Sequence, residues 1–169
     1  MSLTATLRVQ ALADLVSALD LGSASAPLRK TYQAELGDGT GTGQANRIWH
    51  DQRTLAASAN EDLDLAGSLL DALGGAFSLA RVKGLIVAAA AGNTNNVIVG
   101  AAASNAWAAL LGATHTLTVR PGAVVAAFAG AADPTGWAVT AGTGDLLRIA
   151  NSGAGTSVTY DIVVVGASA

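Results

Sequence analysis

The sequence predicts an all-β fold, a single β-sandwich or jelly-roll-like domain with an extended N-terminal arm. Three observations predict it: the apolar runs are short, only 12% of residues are charged, and turn residues separate the runs about every 8 to 12 positions. With 169 residues, the chain is long enough for one domain with a full core and short for two. We assign residues 1–46 to the arm and its glycine-rich loop, and residues 47–169 to the sandwich.

The arm begins with an alternating pattern. TATLRVQA places Leu7, Val9 and Ala11 on one side and polar side chains on the other, which is typical of a strand with one dry face. The next segment, ALADLVSALDL, fits either a short helix or a second strand, and both alternatives stay open. GDGTGTG then has four glycines in seven residues, which predicts a flexible loop.

After residue 46 the sequence changes to closely spaced strand patterns. Two alternating segments come first, RIWHDQRTLAAS and NEDLDLAG, the second with Leu63 and Leu65 inward and its carboxylates largely outward. SLLDALGGAF is predicted to be a short helix that Ser68 caps and Gly74 ends. Seven apolar strand patterns with intervening turn residues follow: ARVKGLIVAAAA, NNVIVGAAA, THTLTVRPG, GAVVAAFAG, GWAVTAG, DLLRIANSG and SVTYDIVVVGA.

The alanine-rich stretch GLIVAAAAGNTNNVIVGAAASN suggests a membrane hairpin at first. Its apolar runs are too short for that interpretation. A spanning helix needs about 20 apolar residues, whereas the runs at 84–91 and 122–132 are short and bounded by turn residues. These lengths indicate buried strands. Alanine alone is a poor strand former, so we expect such strands to be packed on both faces or against a neighbouring subunit.

Composition and charge exclude several classes of function. The net charge is −3 and the nine Lys and Arg residues are scattered, so there is no basic stripe for nucleic acid. The chain has no cysteine, which excludes disulfides and thiolate metal sites. Charged residues interrupt positions 1–21, so we expect no secretory signal. A chain that is 51% hydrophobic and 4% aromatic must have a surface made largely of small, neutral side chains. Such a surface suits a subunit of an assembly.

No motif predicts catalysis or a cofactor. GDGTGTGQ lacks the lysine of a phosphate-binding loop and the strand–helix context of a dinucleotide fingerprint. His50 and His115 are the two histidines of the chain, no GxSxG elbow occurs, and a histidine within an alternating strand is usually structural. We therefore expect no catalytic residue and no cofactor, and we do not expect an enzyme.

Two groups of residues have both a binding and a structural interpretation. Glu61, Asp62 and Asp64 are able to supply oxygen ligands to Ca²⁺, or they form a solvated strand edge that discourages edge pairing. The calcium-loop pattern is missing, so the edge interpretation is favoured and no metal site is predicted. The three tryptophans suit a sugar-binding platform or, because aromatic residues are so few, core anchors or subunit contacts: Trp49, Trp107 and Trp137.

Three stretches carry a resemblance to a known group: RIWHDQRTLAASANEDLDLAGSLLDALGGAF, AGNTNNVIVGAAASNAW and TGWAVTAGTGDLLRIANSGAGTSVTYDIVVVGASA. They resemble small virion structural proteins encoded by tailed bacteriophages and prophages. The resemblance covers most of residues 47–169 and implies no catalytic residues. The chain departs from the pattern at VRPGAVVAAFAGAADPTGWAV, where alanines stand in place of larger aliphatic residues, so its outer contacts are expected to differ.

The resemblance implies a non-enzymatic virion protein that is assembled in the bacterial host cytoplasm. Its expected role is a capsid decoration or cement protein that forms a homo-oligomer, a trimer, on the major capsid protein. Leu7, Val9 and Ala11 would add a strand to the open edge of a neighbouring subunit, and the three tryptophans are candidate interface residues. Alternatives are a tail, tail-tip or fibre component that contacts the host surface, and a carbohydrate- or receptor-binding module.

Overall fold

The computed structural model of the chain describes residues 2–67 and 69–169. Within these ranges the chain forms strands, turns and loops, and no helix. The all-β prediction is therefore confirmed, while the finer jelly-roll description stays a prediction. Across the same residues no helix has the length and hydropathy that crossing a membrane would require.

The N-terminal segment folds as a long antiparallel hairpin. Strands β1 (Ala5–Leu19) and β2 (Gly22–Asp38) pair without interruption along the whole of β1, and Asp20 and Leu21 form the turn. The short β3 (Gln44–Ala45) pairs in parallel with the end of β2. The segment ALADLVSALDL, which the sequence left open, is therefore the outer half of β1 and its turn.

Further strands follow in residues 47–167, and most coincide with the predicted apolar segments. Their bounds are β4 (Arg47–Leu55), β5 (Asn60–Asp64), β6 (Leu69–Leu70), β7 (Ala76–Phe77), β8 (Arg81–Ala89), β9 (Val97–Gly100), β10 (Thr116–Val119), β11 (Val124–Phe128), β12 (Trp137–Ala138), β13 (Leu146–Asn151) and β14 (Val158–Ala167).

Two antiparallel sheets form a sandwich-like arrangement. One has the strand order β10-β9-β13-β5, and the other has the order β11-β8-β14-β4 with β12 beside β8. Their inner faces meet in one apolar core, to which β14 contributes Tyr160 and Ile162 and β13 contributes Leu147 and Ile149. Side chains alternate between this core and the outside along the strands, as the period of two requires.

The predicted helix SLLDALGGAF is wrong. Leu69–Leu70 and Ala76–Phe77 form a two-stranded hairpin instead, and Ser68, the predicted cap, lies outside the described residues. The Asp71 carboxylate closes the turn, because its Oδ1 accepts hydrogen bonds from the backbone N–H groups of Leu73 and Gly75. Such an aspartate turn competes locally with a helix, and the segment is too short for helical propagation to prevail.

The alanine-rich stretch crosses between the sheets. β8 lies in one sheet and β9 in the other, so GNTNN connects the two layers rather than closing a hairpin. Asn93 anchors this connection to β14, since its Nδ2 donates to the Thr159 carbonyl and its Oδ1 accepts from the Thr159 N–H. The turn chemistry predicted a reversal of the chain but not which sheet would receive the next strand.

The base of the hairpin forms a third layer over one end of the β8–β14 sheet. Leu7 and Leu36 are buried against Val165, with Ile86 and Phe128 packed around them. The sheet is thus covered on both faces at this end, by the sandwich core on one and by the hairpin base on the other. This double burial explains the continuous apolar run of β14. The alanine-rich run at 122–132, which was expected to be buried, is instead largely exposed or partly buried.

Gly84 sets the distance between the hairpin base and the sheet. A Cβ at this position would overlap the Leu7 side chain, which is itself buried. We expect Gly84→Ala to destabilise the chain by about 1–3 kcal/mol, as an overpacked core does. In a double-mutant cycle measured by urea denaturation, Leu7→Ala should cost less in the Gly84→Ala background than in the wild type. Strictly additive effects would contradict this contact.

Candidate assembly surface

The outer part of the hairpin has no intramolecular cover. Every residue from 8 to 33 is exposed, whereas Leu7 and Ala34, the next inward pair, are buried. The large apolar side chains in this outer part include Leu15 at 77% and Leu21 at 103% relative exposure. Isolated two-stranded hairpins are marginally stable in water, so we expect this ribbon to pack against a further surface.

The strand register divides the outer hairpin into two different faces. Because directly opposed residues in an antiparallel pair point to the same side, the apolar face contains Val9, Ala11, Ala13, Leu15, Ser17, Leu19, Gly22, Ala24, Ala26, Leu28, Lys30 and Tyr32. The polar face contains Arg8, Gln10, Leu12, Asp14, Val16, Ala18, Ser23, Ser25, Pro27, Arg29, Thr31 and Gln33. The apolar face carries a single charge.

The apolar face continues the buried base outward along the same side of the ribbon. Leu7 and Leu36 cover the sheet, and the side chains that follow them at intervals of two residues remain uncovered. The uncovered ribbon is about 40 Å long and 10 Å wide at normal strand dimensions, an area on the order of 400 Å². The largest apolar patch of a typical soluble monomer covers about 300–600 Å² and is often functional, so this face is the candidate interaction surface.

Covering the apolar face would stabilise an assembly substantially. Its large side chains are each about half exposed or more: Val9 43%, Leu15 77%, Leu19 59%, Leu28 52% and Tyr32 58%. Complete burial of one such side chain is worth about 1.5–3 kcal/mol, so covering the five would contribute roughly 5 kcal/mol per copy.

The structure separates the three residues that the sequence proposed for strand addition. Leu7 is buried against the chain's own sandwich, while Val9 and Ala11 are exposed on the apolar face. The outer edge of β1 has no partner strand among the described residues, since its sheet has the order β1-β2-β3. Strand addition at this edge stays a prediction, and its exposed side chains begin at Val9.

The tryptophans lie mostly in the chain's own core. Trp49 is 4% exposed and packs against Phe77 with 6.4 Å between the ring centroids. Trp107 is 5% exposed, and its Nε1 donates a hydrogen bond to the Ala138 carbonyl. Trp137 is partly buried. Trp49 and Trp107 therefore act as core anchors in this structure, and neither offers a ring face to a sugar.

The acidic residues of β5 each have a different partner. Glu61 points inward, contrary to the expected outward direction, and accepts hydrogen bonds from the Tyr160 hydroxyl and from Arg53. Asp62 forms a bidentate pair with Arg148, and Asp64 Oδ1 accepts from a backbone N–H. In residues 2–67 and 69–169 no group of three or more His, Asp or Glu side chains is arranged to hold a metal ion.

The network around Glu61 joins the two sheets. Tyr160 is fully buried, and burial together with the hydrogen bond to Glu61 raises the pKa of its phenol. The hydrogen bond to Glu61 also raises the pKa of the Arg53 guanidinium. Both groups therefore keep their protons at neutral pH, and both donate to the same carboxylate. This arrangement is structural, since the phenol has no access to solvent.

The histidines do not form a catalytic arrangement in the part of the chain that the structure describes. His50 and His115 are both exposed, and neither side chain hydrogen-bonds to a serine or a carboxylate. His50 lines a groove of about 310 Å³ together with Leu3, Ile48 and Leu73. Asp71, which also borders this groove, already accepts two backbone hydrogen bonds that close its turn.

Two buried polar side chains, those of Lys83 and Asn151, donate hydrogen bonds to loop carbonyls. Lys83 is 1% exposed, burial lowers its pKa, and its Nζ donates to the Asp133 carbonyl. The Asn151 amide donates to two loop carbonyls, those of Ala56 and Thr156. These hydrogen bonds attach the loops to the strands of the sandwich, and both side chains are buried from solvent.

Comparison with known proteins gives no match: no family model, no curated protein and no solved structure is significantly similar to the chain.

Proposed function

We propose that the chain is a non-enzymatic structural protein of a bacteriophage particle, a capsid decoration or cement protein that acts as a homo-oligomer and binds the shell through its sandwich and its N-terminal hairpin. The observation that carries this proposal is the uncovered apolar face of the outer hairpin, which contains twelve of the 26 consecutive exposed residues 8–33. An exposed apolar patch of this size is often a site where another protein binds.

The rest of the molecule supports the same role. The sandwich has an apolar core, and a second buried cluster packs the base of the hairpin against one end of it. Among the carboxylates considered as metal ligands, Glu61 is engaged in structural contacts with Arg53 and Tyr160, and Asp62 with Arg148. A rigid body that presents a long apolar extension suits a protein that joins neighbouring subunits.

The second candidate function is a tail, tail-tip or fibre component. A projecting hairpin is equally able to insert between subunits of a tail, and the exposed loops of the sandwich would then face the host surface. A carbohydrate-binding role has less support, because Trp49 and Trp107 are buried. Both alternatives place the sandwich outward and differ from decoration in where the hairpin is anchored.

Cryo-electron microscopy of the intact particle that contains this chain tests the proposal. We expect density for the sandwich at every local symmetry axis of the capsid, with the hairpin inserted between subunits and copy numbers in the hundreds. Particles of a phage that lacks the gene for this chain are the matched control, and they should lose only that density. Density confined to the tail would reject decoration in favour of the second candidate, and absence of the chain from the particle would reject both.

A further inference from the structure

We propose that the free edge of β1 pairs with β1 of a second copy of this chain, antiparallel about a two-fold axis at Ala11, so that two hairpins form one four-stranded sheet. The inference rests on the assembly role proposed above and deepens it by naming the partner, the edge and the register. Backbone hydrogen bonds along the edge make the contact, and side chains fix the alignment of the two strands.

The turn of the hairpin determines which backbone groups face outward. Leu19 and Gly22 flank a two-residue turn and are directly opposed, so they exchange both of their backbone hydrogen bonds. Hydrogen-bonded and non-hydrogen-bonded pairs then alternate along the ladder. The even-numbered residues of β1 and the odd-numbered residues of β2 therefore direct their N–H and C=O groups away from the hairpin.

The two outer edges of the hairpin are not equivalent. Pro27 belongs to the outward-facing set of β2, so the middle of that edge lacks a hydrogen-bond donor. Proline at such a position protects an edge strand against pairing. β1 contains neither proline nor glycine, and its outer edge keeps a complete row of donors and acceptors. We therefore expect a strand to add at β1 and not at β2.

The charges of β1 complement those of a second β1. The strand has two charged residues, Arg8 and Asp14, both outward-facing and on the polar face. Antiparallel pairing centred on Ala11 places Arg8 opposite Asp14 of the second copy and, by symmetry, Asp14 opposite its Arg8. Opposite charges directly across a ladder stabilise it, and a shift of the register by two residues in either direction would remove both pairs.

The same register satisfies the backbone and joins the two apolar faces. Outward-facing residues of one β1 lie opposite outward-facing residues of the other, so the stretch from Thr6 to Val16 forms about twelve backbone hydrogen bonds between the copies. The odd-numbered residues of both copies share one side of the new sheet, where Leu15 stands beside Leu7 of the second copy. Four strands with one apolar face are more stable than an isolated hairpin.

The arrangement leaves room for both sandwiches. Each sandwich lies beneath the base of its own hairpin, since burial ends at Leu7 and Ala34. The axis at Ala11 is perpendicular to the four-stranded sheet, so the second sandwich lies on the same side of this sheet but at its opposite end. Leu7 of the second copy stands opposite Leu15, about 25 Å along the ribbon from Leu7 of the first.

The outer half of each hairpin then lies beside the base of the other, over an uncovered part of the β8–β14 sheet. The N–H of Asn46, just after β3, donates to the Gly166 carbonyl, which places the β2–β3 side of the base at that end of β14. The β1 edge faces the other way, toward Ile86 and Val163, and both are only partly buried. Apolar side chains near the tip of the second hairpin reach this face.

A groove at the start of β1 is in position to receive the tip of the second hairpin. The register places Leu19 of the second copy beside Leu3, which lines the groove of about 310 Å³ described above. Asp20 and the fully exposed Leu21 follow in the turn. The groove offers apolar walls to the leucines, and Arg47, which also lines it, offers a cation to the Asp20 carboxylate.

Charge reversal tests the register in purified protein by sedimentation velocity. We expect the wild type to be a dimer, and Arg8→Glu or Asp14→Arg each to weaken the dimer at least about 10-fold, because like charges then face each other at two places. The double variant restores both pairs and should return to within about 3-fold of the wild type. Arg29→Glu, on the same face but on β2, is the matched control and should leave the dimer unchanged.

Proline substitutions test which edge is used. Gln10 and Thr31 are directly opposed, and each directs its N–H outward, one on each edge. Gln10→Pro and Thr31→Pro therefore remove the same side-chain hydrogen bond between these residues and no backbone hydrogen bond within the hairpin. We expect Gln10→Pro to be monomeric and Thr31→Pro to be dimeric, with equal melting temperatures.

Disulfide formation locates the axis. The chain has no cysteine, so Ala11→Cys places two thiols directly opposite each other, with Cα atoms about 4.5 Å apart and within reach of a disulfide. Ala13→Cys, on the same exposed face, places the two thiols more than about 10 Å apart. Mild oxidation with a copper catalyst and oxygen should crosslink the first variant as a dimer much faster than the second.

Four results would overturn the pairing: a wild type that stays monomeric at all concentrations, a double charge reversal that does not recover the dimer, a dimer that survives Gln10→Pro, or faster crosslinking of Ala13→Cys than of Ala11→Cys. These measurements use no virus particle, so their failure is separate from that of the virion role. A monomer that still binds the shell would reject the pairing alone. A dimer that is missing from particles would support the pairing and reject the virion role.

Discussion

Replacing Glu61 by alanine is expected to destabilise the sandwich by about 3 kcal/mol, because the change removes the acceptor of two donors from the other sheet. Glu61 Oε1 accepts the Tyr160 hydroxyl at 2.6 Å, and Oε2 accepts Arg53 Nε at 2.7 Å. Without the carboxylate, a fully buried hydroxyl and a half-buried guanidinium lose their partner. The loss would appear as a lower urea midpoint with an unchanged slope.

The neighbouring residue provides a matched control. Asp62, one position along the same strand, pairs with Arg148 through two hydrogen bonds of 2.8 Å, but on the outer side of the sheet. Exposed ion pairs contribute about 0–1 kcal/mol, so Asp62→Ala should cost less than about 1 kcal/mol. Equal losses for Glu61→Ala and Asp62→Ala would contradict the inward position of Glu61.

Glu61 also shows what the sequence pattern does not determine. The alternation of NEDLDLAG correctly places Leu63 and Leu65 inside, and the same period of two places Glu61 on the inner side with them. Composition favoured an outward carboxylate, because an unpaired charge is rarely buried. The two partners come from β4 and β14, far away in sequence, and no local signal indicated them.

The strands of the sandwich were largely predictable from the sequence, because each apolar run is short and ends at a glycine, proline or asparagine turn. The hairpin was harder to predict for a physical reason. Leu12, Leu15, Val16 and Leu19 recur at the spacing of a helix, although pairing with β2 holds them in a strand and distributes them over both faces. Long-range pairing overrides local periodicity here.

The apolar face could not be derived from the sequence, because it depends on the register of β1 against β2. Without that register, Leu28 and Tyr32 have no visible relation to Leu15 and Val9. The sequence placed Leu7, Val9 and Ala11 on one side of the first strand, but only Leu7 is buried, while Val9 and Ala11 are exposed. It did not indicate that Leu7 would be covered by the chain's own sandwich.

Excising residues 10–31 and joining Val9 to Tyr32 through Asn-Gly is expected to leave the sandwich folded while abolishing self-association and particle binding. Val9 and Tyr32 are directly opposed in the hairpin, so a two-residue loop is able to close the shortened ribbon. The excised residues are all exposed and contribute little to the core. The free energy of unfolding should therefore change by less than about 1 kcal/mol.

Removing all of residues 1–46 should have a different result. Ala5, Leu7, Leu36 and Ala45 are buried in one cluster with Val165 of the β8–β14 sheet, and their loss exposes Val165 and its neighbours to water. The two leucines at about 1.5–3 kcal/mol each and the two alanines at about 0.8 kcal/mol each make this truncation less stable by roughly 6 kcal/mol. Thermal unfolding followed by circular dichroism compares the two variants directly.

The contrast between these two variants separates the two roles that we assign to the N-terminal segment. If the base stabilises the fold and the outer hairpin serves assembly, the excised variant melts like the wild type yet fails to bind particles that lack the chain. Retained binding by that variant would move the assembly surface to the sandwich and remove the hairpin from the proposed function. A folded protein that no longer assembles would establish that the exposed apolar ribbon exists for a partner rather than for stability.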